Sequence, residues 1–161
     1  MAILRQCKDA YSVFQRPDPA STGATAMTAP SDLKLPKPLV FIGMMGAGKT
    51  AIGRRVAARL DIPFIDADSE IEAAAGCSIS DIFELHGETA FRNGERRVIG
   101  RLLEGPIQVL ATGGGAFIDR ETREVIKKRG ISVWLRADLE TLWRRVSRRD
   151  HRPLLKTENP R

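Results

Sequence analysis

One segment, Gly43–Thr50, constrains the fold of this chain more than any other feature of the sequence. It reads GMMGAGKT and matches the full pattern G-x-x-x-x-G-K-[ST]. Glycines in such a loop let successive backbone N–H groups turn toward phosphate oxygens. The apolar run Leu39–Ile42 precedes the loop, and apolar residues at helical spacing follow it. The sequence therefore predicts a phosphate-binding loop between a buried strand and a helix.

The loop also predicts how a nucleotide is held. Lys49 would bring a mobile positive charge to the β and γ phosphates, and Thr50 would give an oxygen to Mg²⁺. The predicted nucleotide-binding residues are Gly46, Ala47, Gly48, Lys49, Thr50 and Ala51. A chance match is the alternative, and in a chain of this length it is expected on the order of one time in a hundred.

Four short apolar runs are separated by helical patterns, which predicts an α/β fold with a central parallel sheet. The runs are Leu39–Ile42, Pro63–Ile65, Gln108–Ala111 and Ser132–Leu135. Helices on both faces would make three layers, α/β/α. Because ligands bind such sheets at the carboxyl ends of the strands, the residues after each run are the candidates for chemistry.

Two carboxylates follow the second run, at Asp66 and Asp68. In an extended segment both side chains would point toward the phosphate loop. Asp66 is predicted to hold Mg²⁺ through water, and Asp68 to accept a proton or hydrogen bond from an attacking hydroxyl. The alternative is that Asp68 only caps the following helix, since Asp is favoured at that position.

Arg92 and Glu95 are three residues apart and would share one helical face. Such a pair is usually a surface salt bridge. The functional alternative is that Arg92 presents its guanidinium to a substrate carboxylate while Glu95 fixes the orientation of the guanidinium.

The third run is followed by Thr112 and three glycines, Gly113–Gly115. Three consecutive glycines lose much conformational entropy on folding, so a structural or functional requirement is expected. A tight turn is one reason, and close approach of the backbone to a ligand is the other; the position after a strand favours the ligand.

Arginines crowd the end of the chain, at Arg144, Arg145, Arg148, Arg149 and Arg152. A solvated positive face accounts for most of them. Arg152 follows the last helical pattern, where a mobile cover would begin, and it is predicted to contact the transferred phosphate.

Composition limits the remaining classes of function. Residues 1–38 contain five prolines and no apolar periodicity, so a disordered N-terminal extension before a folded domain at 39–161 is expected. No apolar stretch approaches the ~20 residues that span a bilayer, and the extension lacks a signal-peptide core, so a cytoplasmic protein without membrane contact is expected. The net charge of +6 comes with only 6% aromatic residues, which favours an anionic small substrate over nucleic acid.

The combination of motifs resembles the shikimate kinases over residues 39–161. The matching segments are Gly46–Thr50, Asp66–Asp68, Phe91–Glu95, Thr112–Gly115 and Arg152–Leu155. The resemblance implies the fold of the nucleoside monophosphate kinases, with a lid and a helical substrate-binding region. It further implies a fifth strand and the rest of the lid beyond Arg161, so the domain is expected to be truncated at the lid.

The resemblance also assigns roles. Thr50 and Asp66 would serve Mg²⁺, while Asp68, Arg92 and Gly114 would hold shikimate, with Asp68 as the base for its 3-hydroxyl. Lys49 and Arg152 would contact the phosphates of ATP. Glu95, Gly113 and Gly115 would orient the residues of the site. The expected products are shikimate 3-phosphate and ADP, on the route to the aromatic amino acids, and a monomer is expected.

Two rival functions stay open. A kinase of another polyol acid such as gluconate would use the same phosphate loop, and a non-catalytic module would bind nucleotide without turnover. A GTPase is disfavoured because the sequence contains no Asn-Lys-x-Asp segment.

Overall fold

The computed structural model describes residues 34–147, in which strands and helices alternate as the sequence predicts. The elements are β1 (Leu39–Ile42), α1 (Lys49–Leu60), β2 (Phe64–Asp66), α2 (Ala67–Ala75), α3 (Ile79–Leu102), β3 (Val109–Ala111), α4 (Arg120–Arg129), β4 (Ile131–Trp134) and α5 (Leu139–Val146). The backbone of α3 leaves helical geometry at Gly87, with φ 77° and ψ 174°, so α3 is two helical pieces in sequence.

Short polar side chains start four of the five described helices. The N-cap residues of α2, α3, α4 and α5 are Asp66, Ser78, Asp119 and Asp138, and each accepts a hydrogen bond from a backbone amide of the first turn. Helix α1 differs, because its N-cap is Gly48 and no side chain caps it. The first amides of α1 are therefore available to an anionic ligand.

The four strands form one parallel sheet in the order β2-β3-β1-β4. This confirms the predicted α/β class and the four strands. The chain runs from β1 across to β2 on one side, and from β3 across to β4 on the other. The strand connections thus diverge at β1 and β3, and a crevice opens at the carboxyl ends of these two strands.

Apolar side chains alternate between the two faces of the sheet, and each face has its own core. One core contains Val40, Ile42 and Leu110 of the sheet with Ile99 and Ile126 of α3 and α4. The opposite core contains Phe41 and Val109 with Ala57 of α1. A third cluster, Ile71, Phe91 and Val98, joins α2 to α3. The sheet lies between two helical layers, as expected for the three-layer arrangement.

Two expectations fall largely or wholly outside the described residues. Most of the extension at 1–38 lies there, although Lys37 donates to the carbonyl of Lys128 and Pro38 accepts from the amide of Ile131. The lid with Arg152 lies there completely. Between residues 34 and 147, no helix is both long and apolar enough to cross a membrane.

Candidate functional site

A cavity of about 580 Å³ lies at the carboxyl ends of β1, β2 and β3. Its lining joins segments that are far apart in sequence: Met45–Ile52 after β1, Asp66 at the end of β2 with Asp68 in α2, Thr112 and Gly114 after β3, and Arg145 and Val146 from α5. The structure therefore brings the phosphate loop, both predicted carboxylates and the glycine segment to one place.

The phosphate loop owes its shape to glycines with positive φ. Gly46 has φ 79° and Gly48 has φ 95°, and side chains other than glycine rarely adopt such values. A Cβ at Gly46 would also lie 2.7 Å from Val146 Cγ2, because α5 packs directly on the loop. Both glycines are thus required by the local backbone, and Gly46 is required by the packing of α5 as well.

Lys49 is buried in the loop that it serves. Its Nζ donates hydrogen bonds to the carbonyl oxygens of Gly43 at 2.6 Å and Met44 at 3.0 Å. The ammonium group is therefore held at the base of the cavity with hydrogen-bond partners from the loop. A phosphate bound in the loop would offer Lys49 oxygen acceptors of higher charge.

Thr50 and Asp66 meet at the wall of the cavity. The hydroxyl of Thr50 donates to Asp66 Oδ2 at 2.9 Å. Residues 34–147 contain no group of three or more His, Cys, Asp or Glu side chains that could hold a metal ion alone. A hydroxyl beside one carboxylate fits Mg²⁺, which keeps several waters and takes its other ligands from bound phosphates.

Asp66 and Asp68 lie in different elements, one in a strand and the other in a helix. This corrects the expectation that both lie in an extended segment. Strand β2 ends at Asp66, and Asp68 is the second residue of α2. Asp66 Oδ1 accepts a hydrogen bond from the amide of Asp68 at 3.2 Å and so caps the helix. The alternative reading of Asp68 as the cap is wrong, and Asp68 faces the cavity instead.

The three glycines after β3 bring backbone close to three other parts of the site. A Cβ at Gly113 would lie 2.8 Å from Asp68 Oδ1 and 2.9 Å from Glu95 Oε1. At Gly114 it would lie 3.0 Å from the amide nitrogen of Met45, and at Gly115 2.5 Å from Arg92 Nη2. The segment is therefore a point of close approach between parts of the chain, and its close approach to a ligand stays a prediction.

Arg92 and Glu95 form a largely buried ion pair. Arg92 Nη1 lies 2.6 Å from Glu95 Oε2, and the Glu95 side chain has no exposed surface. Burial raises the pKa of the Glu95 carboxyl above its ordinary value, the Arg92 pair opposes this rise, and the charge of Asp68 adds to it. Burial would lower the pKa of Arg92, but the hydrogen bonds and charges of Glu95 and then Glu88 together outweigh that effect and raise it.

One carboxylate oxygen of the buried Arg92–Glu95 pair accepts no hydrogen bond within residues 34–147. Glu95 Oε1 has no hydrogen-bond partner in the described part of the chain and lies beside Gly113. A buried carboxylate oxygen without a donor is costly, and this cost adds to the burial that raises the pKa of Glu95. The usual reading of an i, i+3 pair as a surface salt bridge does not hold here.

Arg145 is a site residue that the sequence assigned to a solvated stripe. Its Nη1 donates to the carbonyl oxygen of Gly46 at 3.2 Å, and its side chain lines the cavity. The two residues are 99 positions apart, so only the packing of α5 on the loop brings them together. Charge spacing within α5 carries no signal of that contact.

Comparison with known proteins places these features in a family. The family model described as shikimate kinase matches residues 45–161. A shikimate kinase of Paramagnetospirillum magneticum is 61% identical over 128 residues, which cover 80% of this chain and 66% of the relative. One of Rhodopseudomonas palustris is 60% identical over 124 residues, covering 77% of this chain and 61% of the relative. The chain thus spans somewhat less than two thirds of the length of these curated relatives.

Solved structures agree with the sequence comparison. A shikimate kinase from Acinetobacter baumannii, solved in complex with shikimate, has a TM-score of 0.74 and 44% identity, covering 77% of this chain and 69% of that one. A shikimate kinase from Aquifex aeolicus has a TM-score of 0.64 and 36% identity, covering 67% of this chain and 68% of that one.

Proposed function

Because the chain belongs to the shikimate kinase family, we propose that it transfers the γ-phosphate of ATP to the 3-hydroxyl of shikimate, giving shikimate 3-phosphate and ADP. The observation that carries this proposal is the single cavity in which the phosphate loop, Thr50 with Asp66, and Asp68 meet. The relative from Acinetobacter baumannii, which was solved with shikimate, supports the choice of acceptor.

The nucleotide side of the cavity suits ATP. The uncapped start of α1 and the amides of Gly46–Ala51 would receive the β and γ phosphates. Lys49 and Arg145, which both line the cavity, would add positive charge near them. Mg²⁺, held by Thr50 and Asp66 with water, would neutralise charge on the phosphates as the γ-phosphoryl group moves. Arg152, predicted to help at this step, lies outside the described residues.

The acceptor side suits a hydroxylated carboxylic acid. Asp68 faces the cavity and would accept the proton of the attacking hydroxyl, so that the oxygen can attack phosphorus. Arg92, fixed by Glu95, would bind the carboxylate of the acceptor, and the backbone at Gly114 would lie against its ring. The glycine segment joins the two groups, because Gly113 approaches Asp68 and Gly115 approaches Arg92.

The test is ADP release by the purified chain with Mg-ATP, while shikimate and, separately, gluconate are titrated. We expect release that requires shikimate and that falls by a factor of about 100 to 10,000 in Asp68→Asn, as for loss of a general base. Asp61→Asn is the matched control. Asp61 is exposed, ends α1 with φ 52°, a conformation that Asn adopts readily, and does not line the cavity.

Each rival function has its own outcome in this assay. Release that follows gluconate and not shikimate would identify a kinase of another polyol acid. Binding of ADP without release on either acid would identify a non-catalytic nucleotide-binding chain. Equal loss of activity in Asp61→Asn and Asp68→Asn would remove Asp68 from the mechanism.

We also propose that the protein works as a cytoplasmic monomer without a nucleic-acid partner. The support is the small anionic ligands that the site suits, which account for the net charge of +6. Light scattering of the purified chain measures the mass directly, and a mass of twice 17.8 kDa would contradict the monomer.

A further inference from the structure

Arg92 contacts two carboxylates that differ sharply in exposure. Glu95 binds Nη1 at 2.6 Å and is fully buried. Glu88 Oε1 lies 3.4 Å from Nε and 3.3 Å from Nη2, and the Glu88 side chain is 69% exposed. Glu95 is therefore a fixed part of the site, whereas Glu88 is a long, solvated and weakly held partner.

The edge that Glu88 occupies is the one suited to a ligand. Nε and Nη2 form the side of a guanidinium group that receives a carboxylate with two parallel hydrogen bonds. The other terminal nitrogen, Nη1, is held by Glu95. A second cavity of about 500 Å³ has Glu88 and Arg92 in its lining. Glu88 thus stands where an incoming carboxylate would bind Arg92.

Glu88 can leave this position at little structural cost. It follows Gly87, where the helical backbone of α3 breaks. A Cβ built on Gly87 would meet no atom within 4 Å, so the space beside this residue is open. Glu88 itself is exposed and belongs to none of the apolar clusters. A change of its side-chain rotamer would disturb no core contact.

Repulsion between carboxylates favours the movement of Glu88 away from Arg92 when an acid binds. Binding an acid at Arg92 while Glu88 stays would place three carboxylates on one guanidinium group. Asp119, which lines the same cavity, adds further negative charge: the hydrogen bond from the Thr122 amide and, more weakly, the charges of Arg96 and Arg92 lower the pKa of its carboxyl. Arg96 is itself paired with Glu121 and does not offer a second free cation to the acid.

We propose that Glu88 is an internal competitor of the acid substrate: its carboxylate occupies the Nε–Nη2 edge of Arg92 in the empty protein and is displaced when the substrate carboxylate binds. Glu88 thereby weakens the affinity for the acceptor and leaves phosphoryl transfer unchanged. This inference rests on the proposed function, because it takes shikimate as the acid.

The test is calorimetric titration of shikimate into the full chain, comparing wild type with Glu88→Gln. We expect Glu88→Gln to bind shikimate about two- to five-fold more tightly, the size of an exposed ion pair. The KM for shikimate should fall by the same factor, with kcat and the KM for ATP unchanged. The methyl ester of shikimate, which lacks the negative charge, should bind equally to both proteins.

Glu84→Gln is the matched control. Glu84 is exposed on α3 four residues before Glu88 and makes no ion pair within residues 34–147, so its removal changes net charge alone. Equal or weaker shikimate binding by Glu88→Gln, or the same gain with the methyl ester or in Glu84→Gln, would overturn the role of Glu88. Wild type that binds no shikimate would overturn the proposed function as well, so the two failures are distinguishable.

Discussion

At the scale of the residue, Arg92 combines a fixed partner with an exchangeable one, and its guanidinium geometry should matter beyond its charge. We predict that Arg92→Lys raises the KM for shikimate by about 10- to 100-fold, the range for losing a hydrogen bond to a charged group. The KM for ATP should stay unchanged, because Arg92 does not line the cavity that contains the phosphate loop.

Arg101→Lys is the control for this substitution. Arg101 is half-exposed and pairs with Glu70 at 3.7 Å, so the same chemical change there should leave both KM values as they are. A shikimate KM that is unaffected by Arg92→Lys would show that a point charge is sufficient at this position.

Asp119 offers a prediction about pH. Its carboxylate accepts a hydrogen bond from the amide of Thr122 at 2.7 Å, and this bond, aided by Arg96 and Arg92, lowers the pKa below its ordinary value of 3.8. The ionised form is thus favoured by folding. Its stabilising effect is present above pH 3.8 and is lost as the pH falls through the lowered pKa.

We therefore predict that Asp119→Ala lowers the free energy of unfolding by about 1 kcal/mol at pH 7, the usual cost of losing an N-cap. The difference from wild type should shrink below pH 3.8. Asp119→Asn keeps a cap but loses the charge, so it should be more stable than Asp119→Ala and should lack this pH dependence. Urea denaturation at pH 7 and at pH 3 measures all three proteins.

Some residue-level features of the site follow from sequence and others do not. The motif Gly43–Thr50 predicts the phosphate loop because its backbone requirement is local. The sequence also predicts Asp66 and Asp68 as site residues, but it does not show which of them caps the helix, because that depends on where β2 ends. The sequence does not predict Arg145 as a site residue, because its partner, Gly46, comes near only through tertiary packing.

At the scale of the element, the break in α3 is the feature that the sequence pattern did not predict. The spacing of Arg92 and Glu95 predicts a helix around these residues, whereas the structure begins α3 at Ile79 and interrupts it at Gly87. The apolar spacing of residues near Phe91 and Val98 continues across the break, so periodicity alone does not reveal it.

Replacing Gly87 and Gly100 of α3 with alanine should change the free energy of unfolding in opposite directions. Gly87 has φ 77° and ψ 174°, a region open essentially to glycine, so Gly87→Ala should lower the free energy of unfolding by about 1–3 kcal/mol. Gly100 lies in the regular helix, and a Cβ there would meet its nearest atom at 3.9 Å. Gly100→Ala should therefore raise it by about 0.5–1 kcal/mol.

Chemical denaturation of both variants measures this contrast. If Gly87→Ala were as stable as wild type, the break in α3 would not need glycine. Loss of stability in Gly100→Ala would mean that the space beside Val125 is smaller than it is in this structure.

Strand positions were predicted to within one residue, and chemistry explains one of the differences. Pro63 was assigned to the second strand, but proline has no N–H, and only its carbonyl takes part by accepting from the amide of Val109 at 2.8 Å. The first regular strand residue is therefore Phe64.

At the scale of the whole molecule, alternation of strands and helices predicted a parallel sheet but not the order of its strands. The order β2-β3-β1-β4 depends on which crossover passes over which strand, and no local pattern in the sequence encodes that choice. The order matters for function, because it places the loop after β1 beside the glycines after β3.

A ligand that binds between these strands should stabilise the whole fold. We predict that ADP with Mg²⁺ at 100 times its Kd raises the free energy of unfolding by about 2.7 kcal/mol. Removing Mg²⁺ with EDTA, or removing the hydroxyl with Thr50→Val, should lower this gain at the same ADP concentration, because Thr50 and Asp66 are the predicted metal partners. Thermal unfolding monitored by circular dichroism provides the measurement.

A gain that is identical with and without Mg²⁺ would contradict the assignment of Thr50 and Asp66. Glu124→Gln serves as the control, since Glu124 is exposed, pairs with Lys127 and does not line the cavity.

The close approaches at Gly113–Gly115 have a consequence for how this segment can evolve. Any single-base change that replaces a glycine adds a Cβ. At Gly114 that atom meets rigid backbone at Met45, so most replacements should reduce the abundance of folded protein. At Gly113 and Gly115 it meets the charged ends of Asp68, Glu95 and Arg92 rather than backbone, so a replacement there first displaces side chains of the site. A mutational scan read by growth would find all three positions intolerant, whereas one read by protein abundance would single out Gly114.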